Sequence, residues 1–138
     1  MTRKALKTLS ATFVAAAIAT GALTLPASAG GSMSITYLPQ SQKDAQKLQT
    51  GLLLYQLFNS VKGGASIKQL GKNNAAGIGQ YGYGNTGIIH QDGKGHSATL
   101  NQYGNGNAWG IFQFGKNTNA DVYQYGNGGT GATFQFGW

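Results

Sequence analysis

His90, Asp92 and His96 carry imidazole and carboxylate groups of the kind that hold transition metals. A closed site usually takes three or four convergent ligands, each oriented by a partner behind it. His90 and Asp92 have the two-residue spacing of one outward strand face, and His96 falls in a turn, so a solvated face and a substituted turn position account for the trio. The only other carboxylates are Asp44 and Asp121. Hydrolysis by paired carboxylates needs two acids flanking one bond, and no such pair, nor any nucleophile–base–acid set, is visible. Gly82-Tyr83-Gly84-Asn85-Thr86-Gly87 matches the G-x-G-x-x-G dinucleotide pattern. That pattern requires a helix to follow and an acidic residue about twenty positions on; position 105 is Asn. With Cys 0, disulfide and thiol chemistry are absent. No metal, cofactor or enzymatic activity is expected.

The glycines of that pattern belong to a repeat. Gln-x-Gly recurs with Gln69, Gln80, Gln91, Gln102, Gln113, Gln124 and Gln135, paired with Gly71, Gly82, Gly93, Gly104, Gly115, Gly126 and Gly137. The step is eleven residues throughout, without insertion or deletion. Five residues after each Gln come Asn74, Asn85, His96, Asn107, Thr118 and Gly129. An aliphatic or β-branched column precedes each Gln by two: Ile67, Ile78, Ile89, Leu100, Ile111, Val122 and Thr133. A helical coiled coil of the same period is excluded by the recurrent Gly, each costing a helix about 1 kcal/mol. Positions two apart instead share a strand face, so Ala98, Leu100 and Gln102 point inward while Thr99, Asn101 and Tyr103 point out.

Strands are predicted near 65–70, 76–81, 87–92, 98–103, 109–114, 120–125 and 131–136, joined by five-residue turns rich in Gly and Asn. Two strands and two turns make a 22-residue coil, which predicts an all-β solenoid of seven half-coils. On that geometry Gln69, Gln91, Gln113 and Gln135 stack on one wall and Gln80, Gln102 and Gln124 on the other. A buried amide is costly unless bonded, and stacked copies bond one another. Outside, Tyr81, Tyr103 and Tyr125 form one column, and Phe114 and Phe136 continue another below Leu70 and Asp92. The turns at His96, Thr118 and Gly129 are expected to be looser. The last strand, 131–136, is expected to recruit another copy through its unpaired edge.

The chain before the repeat divides in two. Arg3, Lys4 and Lys7 precede an apolar stretch from Ala11 to Leu25, then Ala27-Ser28-Ala29, the pattern of a signal peptide over 1–29 with a chain beginning at Gly30. Losing those three basic residues lowers the net charge from +7 to +4. The remaining lysines are scattered singly, so nucleic acid is not the expected partner, and no integral membrane insertion is expected. In the segment 30–64, residues 34–37 suggest a short strand. Ser41 and Asp44 suggest a helix start, with Leu48, Leu52, Tyr55, Phe58 and Val61 on one stripe of a helix over 42–61. Its expected role is a lid on the first coil.

Over 65–138 the units Gln80-x-Gly82-x-x-Asn85 and Gln102-x-Gly104-x-x-Asn107-Ala108 resemble the curlin repeat, Q-x-G-x-x-N-x-A. The resemblance implies an amyloid β-solenoid that polymerises with itself, passes through the periplasm and a dedicated outer-membrane channel, and forms a secreted surface fibre (fimbrium or pilus) for biofilm and adhesion. It also implies a nucleator partner. Regularity favours the major subunit, and the basic balance a minor nucleating one. The Gln/Asn-rich targeting segment usual in the family is not evident, and the apolar 42–61 stands in its place. A monomeric solenoid binding a ligand on a flat face is the remaining alternative.

Overall fold

The structure, a computed structural model, describes residues 22–24, 31–59 and 64–138. The cleavage motif at Ala29, Val61 and all of the expected signal peptide except 22–24 lie outside the described residues. Strands β1 (Ala22–Thr24) and β2 (Ser32–Tyr37) precede helix α1 (Gln42–Phe58). Seven strands then follow: β3 (Ala65–Lys72), β4 (Ala75–Tyr81), β5 (Thr86–Lys94), β6 (Ser97–Tyr103), β7 (Ala108–Lys116), β8 (Asn119–Tyr125) and β9 (Thr130–Gly137).

The repeat folds as the expected β-solenoid. Odd-numbered strands β3, β5, β7 and β9 stack in one sheet, and β4, β6 and β8 in the other. Every pair within the repeat is parallel and shifted by 22 residues, as in Gln69↔Gln91 and Gln80↔Gln102. The turns differ from expectation by alternating. After β4, β6 and β8 they span 82–85, 104–107 and 126–129, but after β3, β5 and β7 only 73–74, 95–96 and 117–118. The short turns take their left-handed residue from Asn73, Gly95 or Asn117, with φ of 56°, 72° and 52°. Between the sheets lie Ile89, Leu100 and Ile111, all 0% exposed, with Ala98, Ala120 and Trp109. Ile78 and Val122 pack partly against them. Ile67, expected inside, is 46% exposed; β3 is the outermost strand of its sheet, so nothing covers it from above.

Helix α1 begins as its sequence suggests, with the Ser41 hydroxyl accepting the Asp44 amide at 3.1 Å. It does not cover the first coil. It lies across the outer face of the larger sheet, where Leu52 (3% exposed) packs on Ile88 and Ala108. Gly110 makes room there: a Cβ on it would meet Leu52 Cδ2 and the Phe112 ring. Leu48 and Tyr55 join this contact, whereas Phe58 points to solvent at 82% exposure and Gln56 is buried in its place. The Tyr55 hydroxyl bonds His90 Nδ1, and the two rings meet edge-on.

Leu52→Ala is expected to lower stability by about 2–4 kcal/mol, measured by urea unfolding, because the solenoid surface cannot collapse onto the gap. The Tyr55–His90 contact adds a pH dependence. Desolvation, with the Lys68 charge adding to it and Asp92 opposing it, holds His90 below its ordinary value of 6.5. The unfolded chain therefore takes up a proton that the docked state resists. This contribution is complete above about 6.5 and is lost as pH falls through the lowered folded-state value. Tyrosine fluorescence should report helix docking that weakens as pH falls below about 6.5, and His90→Phe should flatten that response.

Candidate functional site

The seven Gln side chains form two ladders inside the solenoid. On one wall each Nε2 donates to the next Oε1, from Gln69 to Gln91 at 2.8 Å, Gln91 to Gln113 at 2.8 Å and Gln113 to Gln135 at 2.7 Å. On the other wall Gln80 donates to Gln102 at 2.8 Å and Gln102 to Gln124 at 2.9 Å. The second N–H goes to a backbone carbonyl: Gln91 to Ala75, Gln102 to Thr86, Gln113 to Ser97 and Gln135 to Asn119. A carbonyl can only accept, so nitrogen must face it. That fixes the orientation of each amide and gives both ladders one polarity. Acceptor oxygens of Gln69 and Gln80 face out beyond the first coil, and the donor ends of Gln124 and Gln135 face the opposite way. Gln91, Gln102 and Gln113 are fully buried, while Gln69 and Gln80 are more open because they sit in the first coil.

The turn asparagines form a third ladder. Asn85 Nδ2 donates to Gly104 O at 2.9 Å and Asn107 Nδ2 to Gly126 O at 2.8 Å, while Asn74 Nδ2 reaches Gly93 O at 3.2 Å. Their Oδ1 atoms accept the backbone N–H one coil on, at His96, Asn107 and Gly129. The turns at His96 and Thr118 are not looser, since both residues are buried. Thr118 N donates to His96 Nδ1 at 3.4 Å and the Thr118 hydroxyl lies 2.8 Å from the same nitrogen, so the ring nitrogen takes the place of the amide oxygen. What the ring cannot supply is the second bond, and its buried Nε2 finds no partner. An exposed Asn105–Asn127 pair adds another rung. Only the 22-residue spacing within the Gly-Asn turns could have revealed it.

The turn glycines keep the coils close. Gly104 has φ 114°, and a Cβ there would collide with the Gly126 carbonyl oxygen. The equivalent space beyond Gly126 holds nothing within 4 Å. Aromatic side chains stack outside. Tyr81, Tyr103 and Tyr125 have centroids 4.8 and 4.9 Å apart, with planes within 7° of parallel. Phe114 and Phe136 stack at 5.4 Å on the larger sheet. Phe112 and Phe134, a further pair at the same 22-residue spacing beyond the columns expected from sequence, stack at 5.0 Å. His90 serves helix docking, Asp92 is exposed and His96 lies in a turn; no group of three metal-binding side chains forms among the described residues. The G-x-G-x-x-G stretch leads from a turn into strand β5, with no helix to receive a phosphate.

The two ends of the stack differ. At the far end β8 pairs only with β6 among the described residues. The edge of β9, expected to be open, is occupied by β2. This strand pairs antiparallel over Ser32↔Gly137 to Tyr37↔Ala132.

The family model for the curlin associated repeat matches residues 84–111. Those residues span β5, β6 and the first strand residues of β7, including Gln91 and Gln102. No curated protein and no solved structure matches the chain.

Gln102→Ala removes two donated bonds and the acceptor of Gln80; it is expected to cost about 3 kcal/mol, against under about 1 kcal/mol for Gln69→Ala at the open end. Urea unfolding of freshly diluted monomer measures both. His96→Asn should raise stability by about 1 kcal/mol by restoring a donor to the Gly115 carbonyl.

Proposed function

With a curlin associated repeat at its centre, we propose that the chain is the major structural subunit of an extracellular curli-type fibre, secreted through the periplasm and an outer-membrane channel and started by a nucleator. The fibre would serve biofilm matrix and surface adhesion, with no catalytic role. One observation carries this reading: the polar Gln ladders are complete within the molecule but end unmatched, with the Gln69 and Gln80 acceptors facing outward at one end and, at the other, the Gln124 donor without a further coil and the Gln135 donor met only by Ser34 at 3.4 Å. A finished globular core satisfies its buried amides internally. These ladders are satisfied by a further coil, and a second copy is made of such coils.

The polarity also dictates geometry. Donor ends must meet acceptor ends, so copies add head to tail and the strands run perpendicular to the fibre. Within each copy the larger sheet is covered by α1, which leaves the tyrosine-bearing sheet as that copy's bare lateral face. Among the described residues no helix is long and apolar enough to cross a membrane.

Residues 30–138, diluted from denaturant, are expected to bind thioflavin T with time and to give fibre reflections near ~4.8 Å and ~10 Å. A chain that stays monomeric for days would contradict the proposal. Gly126→Ala gives a sharper outcome. At φ 109° an Ala strains the monomer although its Cβ meets nothing there, and the same Cβ would also strike the carbonyl of an added coil, as at Gly104. It should slow growth far more than its effect on monomer stability accounts for.

A further inference from the structure

The strand on the β9 edge differs from every other strand stacked on the repeat. Strands β3 to β9 pair in parallel, but β2 runs antiparallel on β9. It continues the sheet without continuing the ladder. In place of a Gln it brings Ser34 over Gln135, and the Nε2–Oγ distance is 3.4 Å, against 2.7 Å for Gln113 to Gln135. Thr36 sits over Thr133, again at 3.4 Å between hydroxyls. The far side is pinned by Trp138, whose N–H donates to Gly31 O at 3.0 Å and whose ring lies against Gly31. A poorer partner thus holds the seat that a true half-coil would fill with a full-strength amide bond.

The number of half-coils determines which seat that is. The described repeat has four strands in one sheet and three in the other. A further half-coil in phase would lie on β8, and the one after it on β9. An incoming copy would therefore arrive rotated half a turn about the stack, with its β3 on β8 and its β4 on β9. Its Gln69 Oε1 would then receive Gln124, and its Gln80 Oε1 would receive Gln135. The β8 edge is open among the described residues, and the β9 edge is covered.

Resting on the fibre reading above, we infer that β2 is a self-cap on the growing end: a second copy first pairs its β3 with β8, and then its β4 displaces β2 from β9. Parallel pairing with a matched Gln replaces antiparallel pairing with Ser34, so exchange gains ladder bonds at the step that commits the copy. The device slows assembly of free monomers and spares the solenoid, because α1 keeps its own contact on the outer face through Leu52.

The chain has Cys 0, so one introduced pair is unambiguous. Ile35 and Phe134 are register partners in β2 and β9 and project away from the ladder. The double variant Ile35→Cys, Phe134→Cys can be compared with itself, oxidised and reduced, in thioflavin T growth seeded with wild-type fibres. Far-UV circular dichroism verifies that both states are folded. The reduced chain should elongate the seeds, and the oxidised chain should be slower by roughly tenfold or more, since its covered edge cannot accept a strand. A free peptide of residues 31–38, but not its scrambled form, should slow elongation of the wild type by re-covering β9. Equal growth of oxidised and reduced chains would overturn the cap while leaving the fibre reading intact. Fibres failing to form in either state and in the wild type would overturn both.

Discussion

The side-chain amide in the solenoid interior sets the terms for the rest of the structure. A primary amide buried without partners costs a few kcal/mol, whereas one bonded on all sides is close to neutral or mildly favourable. Gln91, Gln102 and Gln113 reach that state because an identical residue lies one coil before and after each of them. Their second N–H is taken by a carbonyl on the opposite sheet, so the ladders also tie the sheets together. This arrangement forces a fixed repeat length, since one inserted residue would move Gln to the outer face. It also forces the coils into close contact, which is why a turn position such as Gly104 leaves no room for a Cβ.

The solenoid has unequal faces. On the larger sheet the outer row of Ile88, Gly110 and Ala132 is apolar or small, and α1 covers it. On the smaller sheet the outer positions are Gly, Thr, Asn, Asp and Tyr, and they remain bare. The helix therefore protects the one lateral surface that would otherwise associate sideways through its apolar residues. In the proposed fibre, this protection of the side and the unpaired β8 edge would together favour growth along the axis over clumping.

The solenoid was legible because its evidence in sequence is translational: Gln, Gly and aliphatic columns in register state which residues stack, and the parallel pairings follow them. The relations outside that translation were not legible. The α1 stripe of Leu48, Leu52 and Tyr55 was visible, but its docking place was not, since Ile88 breaks alternation by a single residue and Gly110 resembles any other glycine of the repeat. Likewise 34–37 reads as a strand, yet nothing in its composition says which edge it joins. The short turns at 73–74, 95–96 and 117–118 differ from the long ones in local φ, a difference that the shared Gln-x-Gly pattern hides. His96 breaks the Asn column by type, yet its Nδ1 stands in for an amide oxygen, which the one-letter pattern does not convey.

The most direct measurement of the central claim is hydrogen exchange of the Gln side-chain amides, resolved by nitrogen-15 NMR in the monomer and by exchange-quench in the fibre. The structure requires slow exchange at Gln91, Gln102 and Gln113 in the monomer, and fast exchange at Gln124, whose donor end faces no further coil. In the fibre Gln124 should become as protected as Gln102. Exchange at Gln102 as fast as in a free amide, or Gln124 still unprotected in the fibre, would contradict the account that these ladders build the molecule and continue between copies.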